Sequence, residues 1–364
     1  MATNTPRTPR RRMALALVAA GLLLGCSAGP AASRPAASQA AAAPAAPAGG
    51  AAQAAASPEP PAPLKTRSAY TTIAASVAPW WAAYEAGYFR EQGLDIDLIH
   101  TDAGAPLLAA LTNNELDLVS AGGTSLVLGN LQGIETMIIG STANYIDSSI
   151  FVRPEIQTVE DLRGKTIGVT NLKAISDTAA RLAMRHVGLE PDVDVFTRRT
   201  GGLAESLAGI ETGTLDAASI SVPVVFEARR RGYRELLSVA AMRLPFLIGA
   251  IGATKSVLAE RPELGERYLR AIAQGVSRLK TDRDFAMDVI GKYTRLEDAE
   301  LLSATVDYYR PLWPSDPYPE PDTVQAVLDA EDNPAARTAK PEDVADVRFA
   351  EALRRSGFLD TLPK

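Results

Sequence analysis

Between residues 67 and 254 the apolar positions switch repeatedly between the alternation of a half-buried strand and the three-to-four spacing of a helix. Residues 71–76 (TTIAAS) form a short β-prone run. Pro79, suited to a first helical turn, opens a helical stretch to residue 91 that Gly93 stops. Residues 94–99 (LDIDLI) alternate and predict a strand with one wet face. A helix over 105–111, a strand over 116–120 and a helix opening at Gly122-Gly123-Thr124-Ser125 follow. Residues 135–140 and 149–152 predict two more strands. The rhythm then restarts, with a short helix ending at Gly164, a strand over 165–170 and a helix begun by Ser176-Asp177 that reaches His186. A strand over 194–197, a helix over 203–211 and a strand over 215–219 complete it. Alternation of this kind predicts an α/β fold with largely parallel sheets.

A shift of 99 residues brings the two halves into register. Leu108, Ala109, Leu116, Asp117 and Ser120 fall on Leu207, Ala208, Leu215, Asp216 and Ser219 as identities, which predicts two similar lobes. In open α/β sheets, ligands sit beyond the carboxyl ends of strands, where helix N-termini offer unpaired N–H groups. The expected ends carry Ser76, Gly122, Gly123, Thr124, Thr170, Asn171, Ser176 and Ser219, which are hydroxyls and amides with no arginine among them. Trp80 and Trp81 follow Ser76 directly, one expected to face the cleft and the other the core, and Tyr145 precedes a crossover. These residues form the candidate ligand-binding set. Amides and hydroxyls would hold an anion, and the aromatic rings would stack on a neutral or aromatic solute; both stay open.

Other chemistry is poorly represented. Asp117 and Asp216 each follow a leucine at a strand start, the end away from the cleft, and read as capping groups. His100 and His186 stand near element ends. Gly164-Lys165-Thr166 imitates the close of a phosphate loop, but Val159 occupies the place of its first glycine and Lys165 precedes a strand. No catalytic residue, metal or cofactor is expected.

The N-terminus is an address. Arg7, Arg10, Arg11 and Arg12 precede a charge-free stretch over 13–24, too short for a spanning helix of about 20 residues. It ends in Leu23-Leu24-Gly25-Cys26, which resembles a bacterial lipobox, so residues 1–25 are expected to be a signal peptide and Cys26 the lipidated first residue. Residues 26–66 read as a disordered tether, almost wholly Ala, Pro, Gly and Ser from 28 to 63. Removing residues 1–25 leaves 33 basic against 43 acidic residues, a net charge of −10, which argues against nucleic acid and leaves the lipid as the membrane contact. Cys26 is the one cysteine, which excludes an intrachain disulfide.

Four segments carry a resemblance. Pro79-Trp80-Trp81-Ala82-Ala83-Tyr84-Glu85-Ala86-Gly87-Tyr88-Phe89 is followed by Glu91-Gln92-Gly93-Leu94-Asp95-Ile96. Asp117-Leu118-Val119-Ser120-Ala121-Gly122-Gly123, then Asp161-Leu162-Arg163-Gly164-Lys165-Thr166-Ile167-Gly168-Val169, then Gly188-Leu189-Glu190-Pro191-Asp192-Val193-Asp194-Val195 come in turn. In that order they resemble ABC-transporter solute-binding proteins of the nitrate/sulfonate/taurine type, over roughly residues 70–240. The resemblance implies a periplasmic-binding-protein type II fold, two Rossmann-like lobes joined by crossover strands. Lobe 1 would comprise 67–150 and 246–364, lobe 2 residues 151–245. Residues 149–153 would be the first crossover and 246–254 the return, with helices over 262–359 packing on lobe 1. It implies a monomeric, non-enzymatic receptor in the periplasm or at the outer face of the membrane. A sulfonate, nitrate, aromatic acid or pyrimidine-like solute would pass to a permease and its ATPase. A thiamine-pyrimidine synthase-like enzyme shares the superfamily but needs a cysteine-rich motif, and a sensory receptor would share every feature above.

Overall fold

The computed structural model describes residues 62–172 and 174–364. The expected signal segment, Cys26 and residues 26–61 of the tether lie outside the described residues. Among the described residues, ten strands form two five-stranded sheets. The first has the order β2-β1-β3-β10-β4, from β1 (Leu64–Tyr70), β2 (Leu94–His100), β3 (Leu118–Ala121), β4 (Thr136–Tyr145) and β10 (Pro245–Thr254). The second has the order β7-β6-β8-β5-β9, from β5 (Ser148–Val152), β6 (Lys165–Val169), β7 (Val195–Arg199), β8 (Ala217–Ser221) and β9 (Arg234–Ser238). In each sheet four strands run the same way, and the fourth in spatial order runs against them. That fourth strand, β10 or β5, is the one just arrived from the other sheet.

The shift of 99 residues holds throughout. It lays β1, β2 and β3 on β6, β7 and β8, and α3 (Ala105–Thr112) and α4 (Gly123–Leu131) on α6 (Leu203–Glu211) and α7 (Val224–Arg230). The two aspartates show it at atomic detail. Asp117 Oδ2 accepts from the Arg67 amide at 2.7 Å, and Asp216 Oδ2 accepts from the Thr166 amide at 3.0 Å. Their own amides donate back to the carbonyls of Arg67 and Thr166. Both therefore bind the strand start, as expected from position alone.

Two boundaries differ from the sequence reading, and one crossover is also a strand. The first strand lies at Leu64–Tyr70, seven residues in register with β2, and so takes the last three residues of the expected tether. Its inner half is buried, whereas residues 71–74 leave the sheet and Ala75–Val77 turn into a helix. The helix opened by Pro79 is broken: α1 (Ala78–Glu85) and α2 (Tyr88–Glu91) flank Gly87, whose φ of 77° no L side chain favours. Residues 148–152, within one residue of the strand expected over 149–152 and overlapping the crossover expected over 149–153, are strand β5, interior to its sheet, buried at all five positions and paired on both edges. The crossing itself is only residues 146 and 147.

The C-terminal third is helical and packs on the first sheet's helices. In the Pro262–Thr281 helix Tyr268, Ile272, Val276 and Leu279 are all buried, as their spacing predicts, and the helix lies along α1. The helices Ala299–Tyr309 and Pro321–Ala330 follow.

Candidate functional site

The site is built where strand ends and helix starts of both sheets meet. On the first sheet, β3 ends and Gly122 caps α4 with extended backbone, Gly123 being the helix's first residue. A Cβ on Gly123 would stand 2.6 Å from the Leu247 carbonyl oxygen, so only glycine lets α4 start against β10. Thr124, one residue on, faces a cavity of about 450 Å³. The opposite wall comes from the second sheet: Leu172 after β6, with Asp177, Thr178, Arg181 and Arg185 of α5 (Ile175–His186). Residues 329–332, at the end of the Pro321–Ala330 helix, close the rim. Thr124 and the start of α5 thus line one cavity.

Other expected site residues take different places. Thr170 follows β6; its amide and hydroxyl both meet Ser176 Oγ, at 2.9 and 2.8 Å, and tie the turn that begins α5. Asn171 Oδ1 accepts from Arg199 Nε at 2.6 Å, so an arginine does stand at these strand ends, at the end of neighbouring β7. Ser219 is not a strand end. It is fully buried at the centre of β8, which runs on to Ser221 because β5 pairs with it from Ser148 to Val152.

The tryptophan expectation is corrected. Trp80 is 1% exposed and Trp81 0%, and both belong to the core around the Pro262–Thr281 helix. Trp81 stacks on Tyr293 with ring centroids 4.6 Å apart and meets Tyr70 edge-on. Their flanking alanines let α1 press flat on its neighbour helix, which draws both indoles inward.

Ser76 and Tyr145 meet at a second, smaller cavity beside the crossing from β4 to β5. Thr142, Asn144, Asp147, Tyr309 and Trp313 also line it. Asp147 is buried in the crossing, and burial pushes its carboxyl above the usual range, against the Tyr309 hydroxyl that donates to Oδ2 at 2.5 Å. Tyr308 donates to the Asp147 carbonyl at 3.1 Å. The exposed Arg243 places its guanidinium 4.3 Å from the Tyr145 ring centroid. One sequence signal points to Asp147, the only charged residue between 136 and 152. Tyr309 and Trp313 give none, since they arrive from a distant helix.

The larger cavity is dominated by carboxylates. Arg181 Nε donates to both Asp177 oxygens at 3.0 and 3.1 Å, and its terminal nitrogens donate to Asp192 at 2.6 and 3.2 Å. The Asp192 bond holds the Arg181 guanidinium above its ordinary value and Asp192 below the usual carboxylate range. Among the described residues no three His, Cys, Asp or Glu side chains are grouped to hold a metal ion, and no helix is long and apolar enough to cross a membrane.

A family model described as NMT1/THI5 like matches residues 74–284. The riboflavin-binding protein RibY of Chloroflexus aurantiacus is 23% identical over 243 residues, covering 65% of this chain and 69% of that protein. The periplasmic aliphatic sulphonate binding protein SsuA from Escherichia coli superposes with a TM-score of 0.64 at 20% identity, over 79% of this chain and 92% of that one. The desulfurization enzyme DSZB superposes with a TM-score of 0.60 at 15% identity, over 80% and 99%. The fold is therefore the periplasmic-binding-protein type II fold, two mixed sheets of five strands with flanking helices.

Proposed function

Because the chain belongs to the NMT1/THI5-like family, we propose that it is the solute-binding component of an ABC importer, taking a small solute between its lobes and handing it to a permease. The observation that carries this reading is the cavity of about 450 Å³ walled by Thr124 and α4 on one side and by α5 on the other. Its size lies within the range of about 300–1,000 Å³ usual for small-molecule sites. Two helix starts aimed at one space suit polar atoms of a ligand. A solute held by both walls favours the closed form by its differential affinity, and no covalent step is needed. Neither His100 nor His186 lines either cavity, so the hydrogen-bonded histidine of a hydrolase is missing from both linings. Sharing a fold with an enzyme does not oppose this, since function lives in the site.

The reading extends to Cys26 as the lipidated residue, to Ser76, Gly122, Gly123, Thr124, Tyr145, Thr170, Asn171 and Ser176 as the cleft's polar lining, and to a body tethered at the outer face of the membrane. Native mass spectrometry of chain purified without refolding tests the central claim. A bound small molecule that leaves on denaturation is expected. An empty spectrum, together with no melting-temperature shift from riboflavin, ethanesulfonate or nitrate, would remove the support for a transport receptor.

A further inference from the structure

The two halves also meet away from the cavities, and that contact bears on how tightly a solute is held, an inference that rests on the solute-binding reading. Neighbouring residues of a strand send their side chains to opposite faces of the sheet. In the second sheet Ile150 and Val152 share one buried cluster with Ala179 and Ala183 of α5, whereas Phe151 shares another with Ile210 of α6 and Val225 of α7. In the first sheet Ile138 goes with Leu126 of α4 and Val324 of the Pro321–Ala330 helix. Its neighbours Met137 and Ile139 go with Ile272 of the Pro262–Thr281 helix and Val306 of the Ala299–Tyr309 helix. Each cluster takes in both sheets. Among the described residues the halves therefore meet on two sides, one carrying α4 and α5 with the larger cavity, the other carrying α7 and the Ala299–Tyr309 helix.

On that second side Phe226 of α7 meets Tyr308 edge-on, with ring centroids 6.2 Å apart and planes at 87°. One turn on, Arg230 Nη1 stands 3.9 Å from Oδ2 of Asp298, which caps the Ala299–Tyr309 helix. The crossing runs between the two sides: Ile146 packs in the α5 cluster, and Tyr308 and Tyr309 bond Asp147 from the other. A rotation about the crossing that narrows the larger cavity thus parts α7 from the Ala299–Tyr309 helix. We propose that this contact is a counterweight to closure, so that Phe226, Tyr308, Arg230 and Asp298 set solute affinity without touching the solute. Apparent affinity scales with the fraction of molecules in the binding-competent form, so whatever the contact contributes to the wider form is subtracted from binding. One edge-on aromatic pair and one ion pair, its side chains 60% and 46% exposed, correspond to a factor of about three to ten.

Two variants test this. Phe226→Ala removes the ring contact, and Arg230→Glu sets like charge against Asp298 at an exposed position; neither residue lines either cavity. Spin labels on Asp322→Cys and His186→Cys, both exposed and on helices of the α5 side, report the separation of the halves in the full chain carrying Cys26→Ser. Without any solute, double electron–electron resonance is expected to show the population at the shorter distance rising about three- to tenfold over the parent in each variant. For whichever of riboflavin, ethanesulfonate and nitrate binds, calorimetry should give a Kd that falls by the same factor. A distance distribution that stays the same or lengthens in Arg230→Glu overturns the inference, and so does a Kd that stays level or rises. Melting curves check folding, and the exposed Arg230→Glu decides even if Phe226→Ala misfolds. The distances need no solute, so the inference stands or falls on them if no probe binds, while native mass spectrometry judges the solute reading separately.

Discussion

Asp117 and Asp216 show how much one side chain can fix. Each carboxylate serves a strand amide with one oxygen and an arginine with the other: Arg261 for Asp117, Arg153 for Asp216. An asparagine has one acceptor oxygen for two donors, so either the amide or the guanidinium goes unmatched. Asp117→Asn is expected to destabilise the protein by about 1–3 kcal/mol, the usual range for leaving a buried group without its bond. Asp216→Asn should cost less, because its side chain is 22% exposed against 10% for Asp117. Urea unfolding monitored by circular dichroism checks both, and equal effects would mean that burial does not set the cost. Neither substitution should alter solute affinity, since both carboxylates sit at the strand starts, away from the cavities.

At the level of elements, the crossing between the sheets is held by a helix distant in sequence. Tyr308 and Tyr309, at the end of the Ala299–Tyr309 helix, bond the carbonyl and carboxylate of Asp147. The two residues between β4 and β5 are thus clamped to the first sheet's side of the molecule. Tyr309→Phe removes the donor to a buried carboxylate and is expected to cost about 1–3 kcal/mol. The loss should shrink on acidification. The Asp147 carboxyl is raised in the folded protein, so its contribution is fully present below the ordinary value near 3.8 and is lost as pH rises through its higher folded value. Thermal melts of the variant and the parent between pH 4 and 7 test this. A gap that widens toward acid would show that Asp147 is not the group the tyrosine serves.

For the whole molecule, the matched halves explain why helices of both sheets line one cavity. Duplicated sheets, each closed by a strand from the other half, leave their helix starts facing across a short double crossing. Attachment to the membrane is a separate matter, and the proposal places it on Cys26. In cells, Cys26→Ser is expected to move the protein from the membrane fraction to the soluble fraction, since a chain with 43 acidic residues against 33 basic ones after residue 25 has little attraction for anionic lipid. Persistence in the membrane fraction after a high-salt wash would argue against lipidation.

Local pattern was enough for most elements. Alternation at 94–99 and apolar spacing at 203–211 depend only on neighbours in the chain, and β2 and α6 stand where they predict. The repeat of 99 residues survived because both copies bury the same leucines and cap with the same aspartates. Tryptophan placement was not legible, because the face of α1 that is buried depends on a helix almost two hundred residues later. Nor was the extent of β8, which runs to Ser221 because it pairs with β5. The chain by itself determined the strands, helices, repeat and capping carboxylates, because those follow from interactions within a few residues or from a period. Tertiary structure alone decided that Trp81 belongs to the core and that Asp147, Tyr309 and Trp313 share a cavity, because burial and cavity lining arise only when distant segments take up the same space.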